Sequence, residues 1–144
     1  MTFYKVLNSD GSARMGVGKW FLPAHGRPGK WMPKIEGKLV PCCRGYHLCR
    51  PAGLIEWLGP AVYEVEYGDE HIEKNAGVIV SREARLLRRV VTWNDRTARL
   101  FAADCAEHVL KIFERRYPND TRPREAIKAT RRFVRGEVDE KALA

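Results

Sequence analysis

The chain is predicted to be an α+β protein: a mainly antiparallel, twisted sheet with one short helix over residues 1–91, then a C-terminal two-helix hairpin over 92–144, packed on the sheet as one compact unit. Three observations lead there. Short runs of β-branched and aromatic residues recur as far as Val91, each closed by Gly, Pro, Asn or Asp. From Trp93 onward the apolar residues take helical spacing. That second pattern breaks at Tyr117-Pro118-Asn119-Asp120, a connection so short that the helices on either side should be antiparallel neighbours.

The first strand is Thr2–Leu7, stopped by the turn signal Asn8-Ser9-Asp10-Gly11-Ser12. Residues 11–38 then hold Gly16, Gly18, Gly26, Gly29 and Gly37 beyond Gly11, with three prolines, six cations and the single acid Glu36. Only Gly18–Leu22 reads as a strand there, and the rest is a long loop of the kind that tends to carry function. The centre of the chain is Pro41–Tyr67, where Cys42, Cys43, His47 and Cys49 fall within eight residues. Pro51–Leu58 reads as one or two helical turns with Pro51 at the start, stopped by Gly59-Pro60. Ala61–Tyr67 alternates apolar residues with carboxylates, as a half-buried strand does. His47 and Cys49 lie on one side of the short helix and Glu64 and Glu66 on the other. His71–Lys74 and Gly77–Ser81 form a hairpin around Asn75-Ala76-Gly77, and Ala84–Val91 is the last strand.

In the helical part, Trp93–Arg116 carries Phe101, Cys105, His108, Val109 and Ile112 on one face, with Thr92 or Asn94 as N-cap. Pro123 opens a second helix with Ala126, Ile127, Thr130, Phe133 and Val134 inward, and Gly136 ends it. The side bearing Phe101, Val109, Ile127 and Phe133 is expected to rest on the sheet. Residues 137–144 have little to pack and are expected to fray.

A net charge of +8 and a pI near 9.6 favour nucleic acid, an acidic protein or an anionic small molecule as partner. The charge is spread along the chain, with nine Lys or Arg against five acids up to residue 68 and seventeen against thirteen beyond. No apolar run approaches the roughly 20 residues of a membrane span. The N-terminal residues lack a secretory pattern, so a bacterial host cytoplasm and reduced thiols are expected.

Two sets of cations are candidate partner-binding residues. Lys19, Trp20, Arg27, Lys30, Trp31 and Lys34 interleave charge with aromatic rings, which suits stacking on single-stranded nucleic acid. The plainer reading is a lid whose tryptophans plug the core while its lysines stay in water. Arg124, Lys128, Arg131 and Arg135 form a basic stripe on the second helix, suited to phosphates or simply to a solvated face. Cys42, Cys43, His47 and Cys49 are soft metal ligands, but a second ligand cluster is missing downstream. Buried thiols and a hydrogen-bonded histidine are the alternative, and no cofactor is expected. On a strand, Tyr46 and Leu48 face one way and His47 and Cys49 the other.

Gly45-Tyr46-His47-Leu48-Cys49, followed by Pro51, Leu54-Ile55, Trp57 and Tyr63–Tyr67, resembles an uncharacterised domain of small bacteriophage proteins over residues 38–91. Asp104–Phe113, Pro118–Ile127 and Arg132–Glu137 are similar to the helical pair of immunity proteins of bacterial toxin systems. Together these resemblances imply a non-enzymatic binding protein of phage or mobile-element origin. Its role would be that of a counter-defence inhibitor or immunity-type protein acting on a bacterial defence or toxin component, itself a protein or nucleic acid. The same central stretch also resembles the middle of small ADP-ribosyltransferase-like folds. That resemblance implies a nicotinamide-dinucleotide site with Tyr46 stacked on the nicotinamide, His47 beside it, and Glu64, Glu66 or Glu83 supporting transfer. The first strand departs from that family, offering Tyr4 and Lys5 where the family has His or Arg.

Overall fold

The computed structural model describes residues 2–75 and 77–143. The architecture is α+β: a six-stranded antiparallel sheet and a C-terminal pair of helices. The chain divides into two compact units, one ending at Trp93 and one starting at Asn94.

In the first unit the strands are β1 (Phe3–Leu7), β2 (Tyr46–Cys49), β3 (Ala61–Tyr67), β4 (His71–Asn75), β5 (Val78–Ser81) and β6 (Ala84–Arg89). Their order across the sheet is β4-β5-β2-β1-β3-β6, which places β1 in the interior with β2 and β3 on its two edges. Tyr4 stands opposite both Cys49 and Glu64. Alternation therefore puts His47, Cys49, Glu64 and Glu66 on one face and Lys5, Tyr46, Leu48, Tyr63 and Val65 on the other. The second face carries the core, in which Phe3, Leu7, Leu48, Tyr63, Val65, Ile79 and Leu86 pack with Trp20. The Asn75-Ala76-Gly77 turn includes Ala76, which lies outside the described residues.

Two expectations for this unit change, and the short helix is present with its type now defined. Gly18–Leu22 is not a strand: residues 11–20 form a tight hairpin with isolated pairings of Leu7 with Ala13 and Ser12 with Lys19. Gly16 and Gly18 turn it at φ 82° and 113°, and Pro23 follows too soon for a ladder to grow. The helix after β2 is 3-10, Pro51–Trp57, with proline in its first turn. The last strand ends at Arg89, where Val90 turns its N–H onto the Val62 carbonyl.

The long loop is not loose. Backbone N–H groups of Gly29, Met32 and Ile35 donate to the carbonyls of Leu86, Ala84 and Arg82 at 2.8–2.9 Å. The donors recur every third residue while the acceptors recur every second, and Pro28 and Pro33 favour an extended course. This strap closes the outer edge of β6, which would otherwise be free to pair with another chain. Gly29 has to be glycine, because a Cβ there would collide with the Phe21 carbonyl.

The second unit contains α1 (Asp95–Arg116) and α2 (Arg122–Val134). Asn94 caps α1 by accepting from the Thr97 N–H at 3.1 Å, while the Thr97 hydroxyl accepts from the Asn94 N–H at 2.9 Å. Pro123 lies in the first turn of α2, and Gly136 follows its end at φ 76°. The buried contact joins Ala103 and Leu110 to Ile127. This corrects the expected inner face of α1: Cys105, His108, Val109 and Ile112 are exposed. Ion pairs to α2 run along the same side as the buried contact. Arg131 reaches Glu107 and Asp104, and Arg124 reaches Glu114 through two bonds of 2.7 Å. High-numbered residues of α2 thus meet low-numbered residues of α1, which makes the pair antiparallel and turns the Asp104-Glu107-Glu114 side inward. Residues after 136 continue into a 3-10 turn, Glu140–Leu143, with Glu140 3.8 Å from Arg99, rather than fraying throughout; Ala144 lies outside the described residues.

Trp20→Ala should remove about 3–5 kcal/mol of stability in urea denaturation, as expected for truncating a buried aromatic. Val17→Asp, at a fully exposed loop position, should shift it by no more than about 0.5 kcal/mol.

Candidate binding groove

On the face of the sheet opposite the core lies a groove of about 480 Å³. Val6, His47, Cys49 and Val78 contribute to its lining from the sheet. One wall is the loop tip Arg14-Met15-Gly16, and another is the end of the 3-10 helix, Glu56-Trp57-Leu58. Cys42 and Lys74 complete the rim. The two walls are tied together, because the Arg14 guanidinium donates to the Leu58 carbonyl at 2.7 Å. Gly59 makes this possible, since a Cβ there would run into Arg14. Lys74 is the residue at which the β4–β5 register shifts, between Glu73 and Asn75.

His47 is held at both ring nitrogens. Its Nε2 accepts the Cys42 N–H at 2.7 Å, which leaves Nδ1 as the protonated nitrogen donating to the Gly45 carbonyl at 3.1 Å. The ring thus fastens the turn that leads into β2, where Cys42 sits at φ 63°. Burial, followed by the nearby Lys5 ammonium, pushes His47 below the ordinary imidazole value. Cys49 is buried, and burial raises its thiol pKa despite an opposing effect of Lys5. Lys5 itself is driven below the usual lysine value by burial. Its ammonium donates to the His47 carbonyl at 3.2 Å and sits 5.3 Å from the Trp20 ring centre. Of the thiols in this cluster, Cys49 is buried while Cys42 and Cys43 are exposed. All four cysteines are free, and among the described residues no group of three His, Cys, Asp or Glu is placed to hold a metal ion.

Of the residues named for a dinucleotide site, His47 lines this groove, whereas Tyr46, Glu64, Glu66 and Glu83 do not. Tyr46 faces the core side, edge-on to Trp20 at 5.3 Å, with its hydroxyl donating to the Pro33 carbonyl at 2.7 Å. Glu64 and Glu66 lie on the other face, engaged by Arg88 and Arg85. Glu83 sits in the β5–β6 turn, against Gly68.

The basic loop is divided. Trp20 is buried while Trp31 is 40% exposed, with the Arg85 guanidinium 4.9 Å from its ring centre. Lys34 pairs with Glu70 at 3.4 Å, and Lys19, Arg27 and Lys30 are exposed. On α2 the stripe is matched by acids: Arg124 and Arg131 by those of α1, Lys128 by Glu125 at 2.9 Å and Arg135 by Glu137. The sequence held no signal for Arg14, Glu56, Trp57 and Lys74 as one site, since they come from three segments. The Gly59 that admits Arg14 read simply as a helix stop.

The fold favours neutral His47, so its contribution to stability is complete above the ordinary value of 6.5 and is lost as pH falls through the lowered folded value. Urea midpoints should therefore drop between pH 7.5 and 5.5. The slope should be flatter in His47→Gln, whose amide oxygen can still accept from Cys42. An equal slope in both proteins would show that His47 does not titrate in this way.

No curated protein and no solved structure matches the chain. Residues 90–143 match the family described as Imm-5 like putative immunity protein, a finding that covers the helical pair and fits an immunity-type role with a protein partner.

Proposed function

We propose that this protein is an immunity-type binding protein that neutralises a bacterial toxin or defence protein by forming a complex with it, without catalysis. The observation that carries this reading is the family match over residues 90–143. The matched segment is also a compact helical pair with its own buried contact. α1 presents Val109 and Ile112, 51% and 65% exposed, beside Lys111, Arg115 and Arg116, which are exposed as well. An apolar strip flanked by cations suits an acidic protein surface, with apolar contact supplying affinity and charge speeding encounter. Within the helical pair, the outer cations of α2, Lys128 and Arg135, belong to the proposed contact surface; Lys19, Arg27, Lys30 and Trp31 of the basic loop are proposed as a separate partner-binding set on the sheet unit. Arg124 and Arg131 act there chiefly by holding α2 on α1. Origin in a phage or mobile element and action against host defence are part of the same proposal.

Among the described residues no helix is long and apolar enough to cross a membrane.

The test is rescue. Bacteria carrying inducible toxin domains, one per strain, should survive induction of one or a few of them when this chain is co-expressed, and the rescued toxin should co-elute with it. Val109→Asp with Ile112→Asp should abolish rescue while circular dichroism stays unchanged. Rescue that persists in this variant would move the contact away from α1. Failure of rescue across the panel would contradict the immunity reading.

A further inference from the structure

The groove on the sheet is independent of the proposed toxin contact and has a chemistry of its own. It is concave, of a size that takes a small organic molecule, and lined by apolar groups from both strands and walls: Val6, Val78, Met15 and Trp57. Its charge is one-sided. Arg14 and Lys74 bring cations to it against the carboxylate of Glu56, while Lys5, which also lines it, turns its ammonium toward Trp20 on the core side. The ammonium of Lys5 is occupied by the His47 carbonyl, and Arg14 uses one nitrogen on Leu58. Among the described residues the remaining guanidinium donors and the exposed Lys74 have no further bond, which leaves them for a ligand. His47 spends both ring nitrogens on backbone groups, so it shapes the wall without competing for a ligand or serving as a base for the Cys49 thiol.

We infer that this groove binds a small organic anion with an apolar or aromatic body, the anionic group meeting Arg14 and Lys74 and the body lying against Val6, Val78 and Trp57. The site is non-covalent. Cys49, the buried thiol in its lining, is raised by burial away from the nucleophilic thiolate, and His47, with both ring nitrogens engaged, does not act as its base.

The chain carries its own reporter. Cys42 is exposed and lines the groove, whereas Cys43 and Cys105 are exposed and do not. Alkylation of the whole protein by iodoacetamide, followed by peptide mass mapping, should be carried out with and without anilinonaphthalene sulfonate. N-phenyl-naphthylamine, the same aromatic body without the sulfonate, is the control. At a sulfonate concentration ten times its Kd, Cys42 labelling should slow about tenfold, because only the unoccupied fraction reacts. Cys43 and Cys105 should react unchanged, and the neutral amine should protect far less. Lys74→Glu, at an exposed position, should remove the protection, and Lys74→Arg should restore it. Equal protection by the two probes, equal slowing at all three thiols, no protection at all, or protection that survives Lys74→Glu would each overturn the inference. None of these outcomes bears on toxin rescue.

Discussion

The pairing of β1 on both edges is the constraint from which the rest of the first unit follows. It brings together Phe3–Leu7, Tyr46–Cys49 and Ala61–Tyr67, and it obliges 38 intervening residues to leave the sheet beside β1 and return to it at β2. Those residues form no regular element, so their polar backbone has to be satisfied some other way. The strap does this for Gly29, Met32 and Ile35 by using carbonyls along the outer side of β6. Trp20 then anchors the loop by burying its indole against the sheet. Each strap hydrogen bond contributes only about 0.5–1.5 kcal/mol net, but together they close the β6 edge and fix the basic segment in one course.

Much of the sheet was legible because alternation is a local signal. Val62 to Tyr67 and Tyr46 to Cys49 display their faces residue by residue, and turn residues mark where each strand stops. The strap was not legible, since a run with Pro28 and Pro33 that lends every third N–H to a distant strand leaves no apolar period. The α1 face failed for a different reason. Phe101, Cys105, Val109 and Ile112 form a better apolar stripe than Ala103 and Leu110, and apolar spacing alone selects them. The acids Asp104, Glu107 and Glu114 run beside the latter pair and meet Arg131 and Arg124, so the inner side depends on a partner helix the local pattern does not contain. His47 was legible as a hydrogen-bonded side chain. Its double engagement depends on the backbone at Cys42, and no spacing rule reports that.

The charge of the chain has a different meaning in its two units. In the helical pair, Arg131 bridges two carboxylates of α1, and Arg124 forms a fork with Glu114. That stripe therefore holds a hairpin together before it offers anything to a ligand. In the sheet unit, Arg82 pairs with Glu70 while its guanidinium also donates to the Ile35 and Gly37 carbonyls of the loop, and Arg85 joins Glu66 to the ring of Trp31. Much of the positive charge thus secures loops and helices to their supports. A net charge of +8 overstates the cations available for a row of phosphates.

The account's central claim, that the chain recognises a protein surface instead of a nucleic acid backbone, is tested most directly by the anisotropy of a labelled single-stranded oligonucleotide at 0.15 M salt. The account predicts binding no tighter than about 10⁻⁶ M, the range of non-specific electrostatic attraction. Saturable binding well below that, with affinity falling steeply as salt is raised, would contradict it.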